Sequence, residues 1–500
     1  MTALSWVEPA LLAIYYSILT VLAFYGIHRF LLVVIYLRTR KLRLVPPPPP
    51  AQWPVVTVQL PLYNEMYVAE RLIDAVCRLD YPRDRLEIQV LDDSTDETKD
   101  IVARVVERYR REGIDIHHLH RTDRSGFKAG ALEAGFAQAR GELLAVFDAD
   151  FLPEPDFLLR SVPCFADPKL GLVQGCWDHI NRGYSLLTRI EAILLDGHFM
   201  IEHSARNRTG CFFNFNGTAG IWRRQAIVEG GGWQHDTLTE DLDLSYRAQL
   251  AGWRFLYLPD LTVPSELPVD INGFKSQQYR WAKGAAQTGR KLLGRVFRAP
   301  LPGRIKFEAL VHLTNNSSYV LMILLSLLIF PAMVLRRGTS GTMLLLVDLP
   351  LFMAATLSVV IFYLASQLVG GKGFRQILYI PALLGLGIGL SVNNARAVIS
   401  GLFHAGGTFE RTPKYSIVRR GQDWQQKRYK VGPNLSVLAE VVLAVYFTGC
   451  TVYAWFAGMW MSIPFLLLFV HGYGYMATLS LKPTFLQWWS RRDDPSLARA

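Results

Sequence analysis

The chain has 500 residues, 51% of them apolar, and a formal charge of +11 at pH 7. Five separate apolar stretches, each near the roughly 20 residues that a bilayer core demands, exclude an ordinary soluble protein. The positive charge does not point to nucleic acid, because Arg38, Arg40, Lys41 and Arg43 collect beside an apolar stretch instead of forming one basic face.

The first apolar run, residues 11–36, has no basic region before it and no small-residue cleavage site after it. It reads as a retained membrane anchor occupying residues 1–45. Pro46 to Pro50 follow and favour a stiff polyproline II spacer of about 3 Å per residue, a linker over 46–53. From 54 to 270 the composition is that of a water-soluble domain. Strand-length apolar runs at 55–60, 86–91, 143–147 and 170–173 alternate there with amphipathic stretches, a pattern that predicts an α/β domain with a largely parallel sheet. The cysteines Cys77, Cys164, Cys176, Cys211 and Cys450 show no paired metal-ligand spacing, so neither disulfides nor structural zinc is expected.

Ligands of such sheets bind beyond the carboxyl ends of the strands. The residues there are Tyr63-Asn64-Glu65, Asp92-Asp93-Ser94 and Asp148-Ala149-Asp150. Carboxylates converging at one edge suit a base or ribose contact and a divalent metal, although any one of them alone reads equally well as a solvated loop. The Asp148-x-Asp150 pair can hold Mg²⁺ or Mn²⁺ against phosphates. Thr239-Glu240-Asp241 opens a helical pattern ending near Gly252, with Thr239 as a predicted N-cap. A carboxylate at that position is either a dipole partner or a general base. Gln277, Arg280 and Trp281 share one helix face through i, i+3 and i+4 spacing, within a stretch, 271–305, that reads as interfacial amphipathic helices.

Further spans are predicted at 310–335, 343–368, 435–459 and 461–481. A sixth apolar stretch, 377–403, carries Asn393, Asn394 and Arg396 where a spanning helix would pay heavily for them. If it crossed, the basic segment with Arg411, Lys414, Arg419, Arg420, Lys427, Arg428 and Lys430 would fall on the outer side, so it reads as re-entrant or interfacial. The expected organisation is two spanning helices in 306–370, a re-entrant segment and loop in 371–433, two more spans in 434–482, and a cytosolic tail, 483–500, with Arg491 and Arg492.

The ordered blocks Asp92-Asp93, Asp148-x-Asp150, Thr239-Glu240-Asp241 and Gln277-Gln278-Tyr279-Arg280-Trp281 resemble the processive family 2 glycosyltransferases of the cellulose synthase type, over about 54–430. The stretches 91–96, 126–132, 147–151, 215–220 and 265–268 are similar, more narrowly, to plant cellulose-synthase-like mannan synthases and xyloglucan-backbone glucan synthases. The resemblance implies an α/β GT-A (Rossmann-like) cytosolic domain inserted in an α-helical multi-span membrane domain. It implies donor contacts from Tyr63, Glu65, Asp92, Asp93, Lys128, Asp148, Gln277, Arg280 and Trp281, and a metal on Asp148 and Asp150. Asp241, beside Glu240, becomes the catalytic base, and Asn216, Gly217, Thr218 and Trp281 meet the acceptor. Phe409, Thr412 and Lys414 match a gating loop of the form Phe-x-Val-Thr-x-Lys, from which Arg411 departs in the place of Val.

The activity implied is inverting, processive synthesis of a β-1,4-linked mannan, glucan or glucomannan from GDP-mannose or UDP-glucose, with extrusion through the lipid bilayer. The multi-pass protein would keep its catalytic domain in the cytoplasm, use Mg²⁺ or Mn²⁺, and bind the growing polysaccharide and no nucleic acid. A non-processive enzyme that glycosylates a lipid shares the same catalytic residues and is the alternative. A nucleotide-driven transporter is disfavoured, since the chain has no Gly-x-x-x-x-Gly-Lys-Ser/Thr loop.

Overall fold

Alternation with period two builds the central sheet. In β1 (Val56–Leu62), Val56, Val58 and Leu60 enter one apolar cluster while Thr57 and Gln59 turn to the opposite face. β2 (Leu86–Asp92) repeats the pattern, with Leu86, Ile88 and Val90 beside them. The buried polar face is satisfied from within: Thr57 Oγ1 donates to Glu87 Oε2 at 2.5 Å and accepts from the Gly141 N–H at 2.8 Å. Without such partners each buried group would cost about 1–3 kcal/mol.

The computed structural model describes residues 6–42, 47–337, 343–432 and 436–493, with side chains as far as 482. Arg43 and Pro46 therefore lie outside what is described, whereas the first part of the expected tail, 483–493, is backbone that continues the helix Ile463–Asp493, with the side chains of Arg491 and Arg492 outside the description. Seven strands form one sheet in the order β3-β2-β1-β4-β6-β5-β7, with β3 at Ile116–His120, β4 at Leu143–Val146, β5 at Leu170–His179, β6 at Gly220–Arg223 and β7 at Arg254–Ser265. All neighbours are parallel except β6, which runs antiparallel to β4 and β5. The sequence pattern identifies β1, β2, β4 and β5 but not the other three. β3 carries three histidines, β6 has only four residues, and β7 contains Pro259, beside which the register with β5 jumps from Leu258 to Thr262. Helices α2 (Ala69–Val76) and α3 (Thr98–Arg111) cover the Val56 face, and α4 (Phe127–Gln138) covers the other.

Among the described residues five helices are long and apolar enough to cross a membrane: α1 (Val7–Thr39), Ser317–Leu335, Leu345–Val369, Ser436–Phe456 and Trp460–Lys482. The ambiguous stretch is a helix pair, Phe374–Gly389 and Ser391–Phe403, bent by 43°. Its asparagines face protein: both are buried, and Asn393 Nδ2 donates to the Lys275 carbonyl at 2.9 Å. Two expectations need correction. The span expected from residue 310 begins at Ser317, because Gly303–Thr314 forms a separate helix whose Glu308 and His312 bond to Arg206 and Tyr246 of the soluble region. The 271–305 stretch is not surface-lying over its first half. After α5 (Glu240–Leu250), helix α6 (Ile271–Arg298) is buried along its early turns, and Lys275 Nζ donates to Glu440 Oε1 at 2.6 Å, tying α6 to the long apolar helix Ser436–Phe456.

Candidate active site

The carboxyl ends of β1, β2 and β4 open into a cavity of about 190 Å³. Beyond β4 the chain turns through Asp148-Ala149-Asp150. The Asp148 N–H donates to Thr218 Oγ1 at 2.9 Å, and Asp148 Oδ1 accepts from Lys128 Nζ at 2.5 Å. Lys128 reaches it from the first turn of α4 and also donates to the Gly217 carbonyl at 2.9 Å. Asp150 accepts from Lys414 Nζ at 2.8 Å and from the Glu266 N–H at 3.1 Å. Burial pushes the Asp148 carboxyl up, opposed by Lys128. Burial would lower the Lys414 ammonium, but Asp150 and Glu266 hold it above its ordinary value. Each carboxylate thus carries one ammonium. The donors are hard carboxylate oxygens of the kind Mg²⁺ and Mn²⁺ prefer, and the balancing charge is that of a divalent cation, so the residues fit such an ion.

Glu240 and Asp241 open α5 against the same cavity. Thr239 does not cap the helix with its side chain, contrary to the sequence expectation. Its hydroxyl lies 3.4 Å from Thr288 Oγ1 of α6, while Asp241 Oδ1 accepts the Leu242 N–H at 2.8 Å. Gly217 has φ +81°, a left-handed conformation, and a Cβ there would stand 3.2 Å from Asp241 Oδ2 and 3.3 Å from Lys128 Nζ. The glycine therefore lets the acid, the lysine and the backbone close up together. Burial, reinforced by the Glu240 charge and opposed by Lys128, pushes the Asp241 carboxyl up to about 7. Glu240 is raised by burial as well, so the two titrate as a pair.

Helix α6 and the loop 409–414 complete the cavity. Arg280 Nη2 donates to Thr412 Oγ1 at 2.8 Å, and its guanidinium sits 4.4 Å from the Phe409 ring centre. Burial lowers Arg280 to about 10, which still leaves it cationic at neutral pH. Gln277 and Trp281 line the cavity, with Trp281 6.5 Å from Trp177 at the end of β5. Arg411, the residue that departs from the gating pattern, forms an ion pair with Glu65 at 3.0 Å. Burial raises Glu65 to about 8 against the pull of Arg411. Arg124 stacks on Tyr63, 3.4 Å from its ring centre, and Nη2 donates to the Phe409 carbonyl at 3.5 Å.

At the far end Asn216 is held on three sides. Its N–H donates to Gln174 Oε1 at 3.1 Å, its Nδ2 lies 2.9 Å from His198 Nε2, and its Oδ1 lies 2.7 Å from His203 Nε2. Both histidines belong to a π-helical turn, Gly197–His203, a distortion that often marks functional positions. From there buried contacts run through Glu202, Arg206 and Glu308 to His28 on α1, at 3.0 Å, 3.4 Å, 2.7 Å and 2.8 Å in turn.

The cavity collects Tyr63, Glu65, Asp93, Lys128, Asp148, Asp150, Asn216, Gly217, Glu240, Asp241, Gln277, Arg280, Trp281, Phe409, Thr412 and Lys414 from segments far apart in sequence. Two of the predicted site residues lie behind it. Thr218 is fully buried as the partner of the Asp148 backbone, and Asp92 is fully buried against His118 and His120. Sequence reasoning missed Arg124, Trp177 and Glu266 as lining residues. The carboxyl-edge rule, applied to β5 and β7, would have pointed at the last two.

Residues 53–284 match the family described as "Glycosyltransferase like family 2". The chain is 46% identical over 254 residues to glucomannan 4-beta-mannosyltransferase 7 of Arabidopsis thaliana, covering 50% of this chain and 46% of that one. It is 48% identical over 253 residues to glucomannan 4-beta-mannosyltransferase 2 of the same plant, covering 50% and 47%. A probable glucomannan 4-beta-mannosyltransferase 6 of Oryza sativa subsp. japonica is 43% identical over 271 residues, covering 53% and 47%. The chain therefore spans about half the length of the curated relatives it matches. Among solved structures, a mannosyltransferase from Pyrobaculum calidifontis, in complex with GDP-Man and Mn²⁺, superposes with a TM-score of 0.51 at 21% identity, over 78% of this chain and 99% of that one. The fold is GT-A-like, and residues 53–284 are similar to the family 2 glycosyltransferases.

Proposed function

We propose that the chain is an inverting mannosyltransferase that lengthens a β-1,4-linked mannan or glucomannan from GDP-mannose. The observation that carries this reading is the position of Asp241: a half-buried carboxylate pushed up to about 7, facing Gly217 and Lys128 in the cavity that also holds Asp148, Asp150 and Arg280. An acceptor hydroxyl oxygen attacks the anomeric carbon while its proton passes to Asp241. The bond to the nucleoside diphosphate breaks on the opposite face, and the anomeric centre inverts. Lys128 and Arg280 stand where the departing phosphates gather negative charge, and Trp281 with Trp177 offers an aromatic platform to a sugar ring. A divalent ion on Asp148 and Asp150 would supply further neutralisation of the leaving group. The names of the curated relatives favour mannosyl transfer, and GDP-mannose is the donor of the structural neighbour.

The cavity of about 190 Å³ is smaller than the roughly 300–1,000 Å³ of ordinary ligand sites. In this reading the loop 409–414 must swing out to admit the donor, exchanging its Lys414 and Arg411 ion pairs for contacts to the nucleotide. The protein would be multi-pass with its catalytic domain in the cytoplasm. Arg420 and Arg428, which bond to Gly183 and Glu97 of the sheet domain, would then obey the positive-inside tendency.

The test is sugar incorporation by the full chain in lipid nanodiscs, offered GDP-mannose and UDP-glucose separately with Mg²⁺ or Mn²⁺. Polymer from GDP-mannose that a β-mannanase degrades is the expected result. Polymer from UDP-glucose alone overturns the donor, a short lipid-linked product overturns the polymerase, and no incorporation from either donor overturns the transferase.

A further inference from the structure

Outside the cavity, three metal-ligating side chains converge at the edge of the sheet. β3 is the outermost strand, and His118 and His120, two residues apart, share the face of Ile116. Asp92, the last residue of β2, stands opposite His120 in the parallel register. Asp92 Oδ2 lies 2.9 Å from His118 Nε2 and 3.3 Å from His120 Nδ1, and the three ligand atoms fall within 4.8 Å of one another. The carboxylate has 0% side-chain exposure and the two imidazoles 16% and 21%, so the cluster is closed behind and open to solvent on the histidine side. The intervening His117 pairs with Asp115 instead, at 2.7 Å.

From this convergence we propose that Asp92, His118 and His120 form a zinc site separate from the Asp148–Asp150 position. Two imidazoles and one carboxylate are a donor set for Zn²⁺, in contrast to the all-oxygen set in the cavity, and three protein ligands leave a fourth position for water. An ion there replaces the two histidine hydrogen bonds to Asp92 with coordinate bonds from the same atoms.

The site reaches the cavity through one carboxylate. Asp92 Oδ1 accepts the Ser94 N–H at 2.9 Å, and Ser94 Oγ accepts the Asn64 N–H at 2.8 Å. Asn64 stands between Tyr63 and Glu65, both cavity residues. Zinc therefore clamps the edge strand and steadies the two loops that follow β1 and β2, a structural role that holds whether or not the chain transfers mannose.

The experiment uses the full chain in detergent, stripped with a chelator and titrated with Zn²⁺ in excess Mg²⁺, which occupies the all-oxygen position. One Zn²⁺ bound per chain with a rise in Tm is expected. A His118→Gln/His120→Asn variant, which keeps N–H donors towards Asp92, should lose that Zn²⁺ while its metal-free Tm matches wild type. Substitution of the wild type with Co²⁺ gives a readout that needs no variant: two exchangeable, hyperfine-shifted imidazole N–H resonances are expected. No Mg²⁺-resistant Zn²⁺ binding, undiminished binding in the variant, or fewer than two such resonances overturns the site.

Discussion

The two ends of the cavity are built on different principles. At the end lined by Asp148 and Asp150, charges are balanced by long side chains brought from elsewhere: Lys128 from α4, Lys414 and Arg411 from a loop more than two hundred residues away. At the Asn216 end, short polar groups are fixed by hydrogen bonds that continue, through buried ones, into the long apolar helix α1. Burial keeps His203 well below the ordinary histidine range, so it is neutral, and its Nε2 donates to Asn216. The first end exchanges one set of ionic partners for another at little structural cost, whereas the second must be preorganised, because a neutral amide positions a sugar hydroxyl only if it cannot turn. On the proposed function, the difference would separate a donor end that opens from an acceptor end that stays.

The largest effect is expected where the two ends meet. Asp241→Asn removes the proposed base and should lower kcat by about 10²–10⁴-fold while the donor Kd holds. Loss of donor binding together with turnover would make Asp241 structural instead. In the wild type the base must be ionised, so kcat should climb with pH through about 7 and level off above it, and the variant should lose that limb. The folded-state value lies above the 3.8 of a free aspartate, so the ionised form is disfavoured by folding. That cost grows as pH rises from about 4 to about 7 and is complete above, so Asp241→Asn should also raise Tm at pH 8, as read by thermal unfolding.

At the donor end, Lys414→Ala strips Asp150 of its buried ammonium. Breaking a buried ion pair in this way costs roughly 3–5 kcal/mol, which should show as a lower Tm in the absence of donor. Mn²⁺ should restore much of the loss, because the uncompensated carboxylate is then free for the cation. A Tm that falls and ignores Mn²⁺ would place the metal elsewhere. Gly217→Ala should be milder in energy, about 1–2 kcal/mol for the left-handed backbone, yet still damage turnover by crowding Asp241 and Lys128. It is checked by comparing Tm with kcat.

What the sequence disclosed follows the same division. The donor end was legible because each of its acids follows a recognisable strand: Asp93 after β2, and Asp148 and Asp150 after β4. Thr218 misled because its hydroxyl, in the bend before β6, is taken by the Asp148 N–H; Asp92 misled for a reason specific to strand ends. Neighbouring residues there point to opposite faces, so of two adjacent acids one enters the cavity and the other turns behind it. The acceptor end was mostly illegible, since His198, His203, Arg206 and Glu308 have no spacing that identifies them. They meet only because a helix loosens into a π turn and Gly303–Thr314 packs back on the sheet domain. Arg411 stood out only as a mismatch to a pattern, and its partner Glu65 lies on the far side of the sheet domain's sequence.

The smallest effect sharpens the comparison most. His203→Ala leaves Asn216 Oδ1, at the cavity wall, and the buried Asn214 carbonyl without their imidazole donor. The loss of orientation is worth about 1–3 kcal/mol, or roughly tenfold to a hundredfold in transfer. If the acceptor end works independently of the donor end, the loss falls on transfer to an oligosaccharide acceptor, while slow donor hydrolysis to free mannose continues at the wild-type rate. A parallel fall in both rates would show that the histidines support the cavity as a whole, and the two ends would then have to be treated as one unit. The conservative His203→Asn, which returns an N–H donor near the same place, should recover part of the transfer rate without altering hydrolysis.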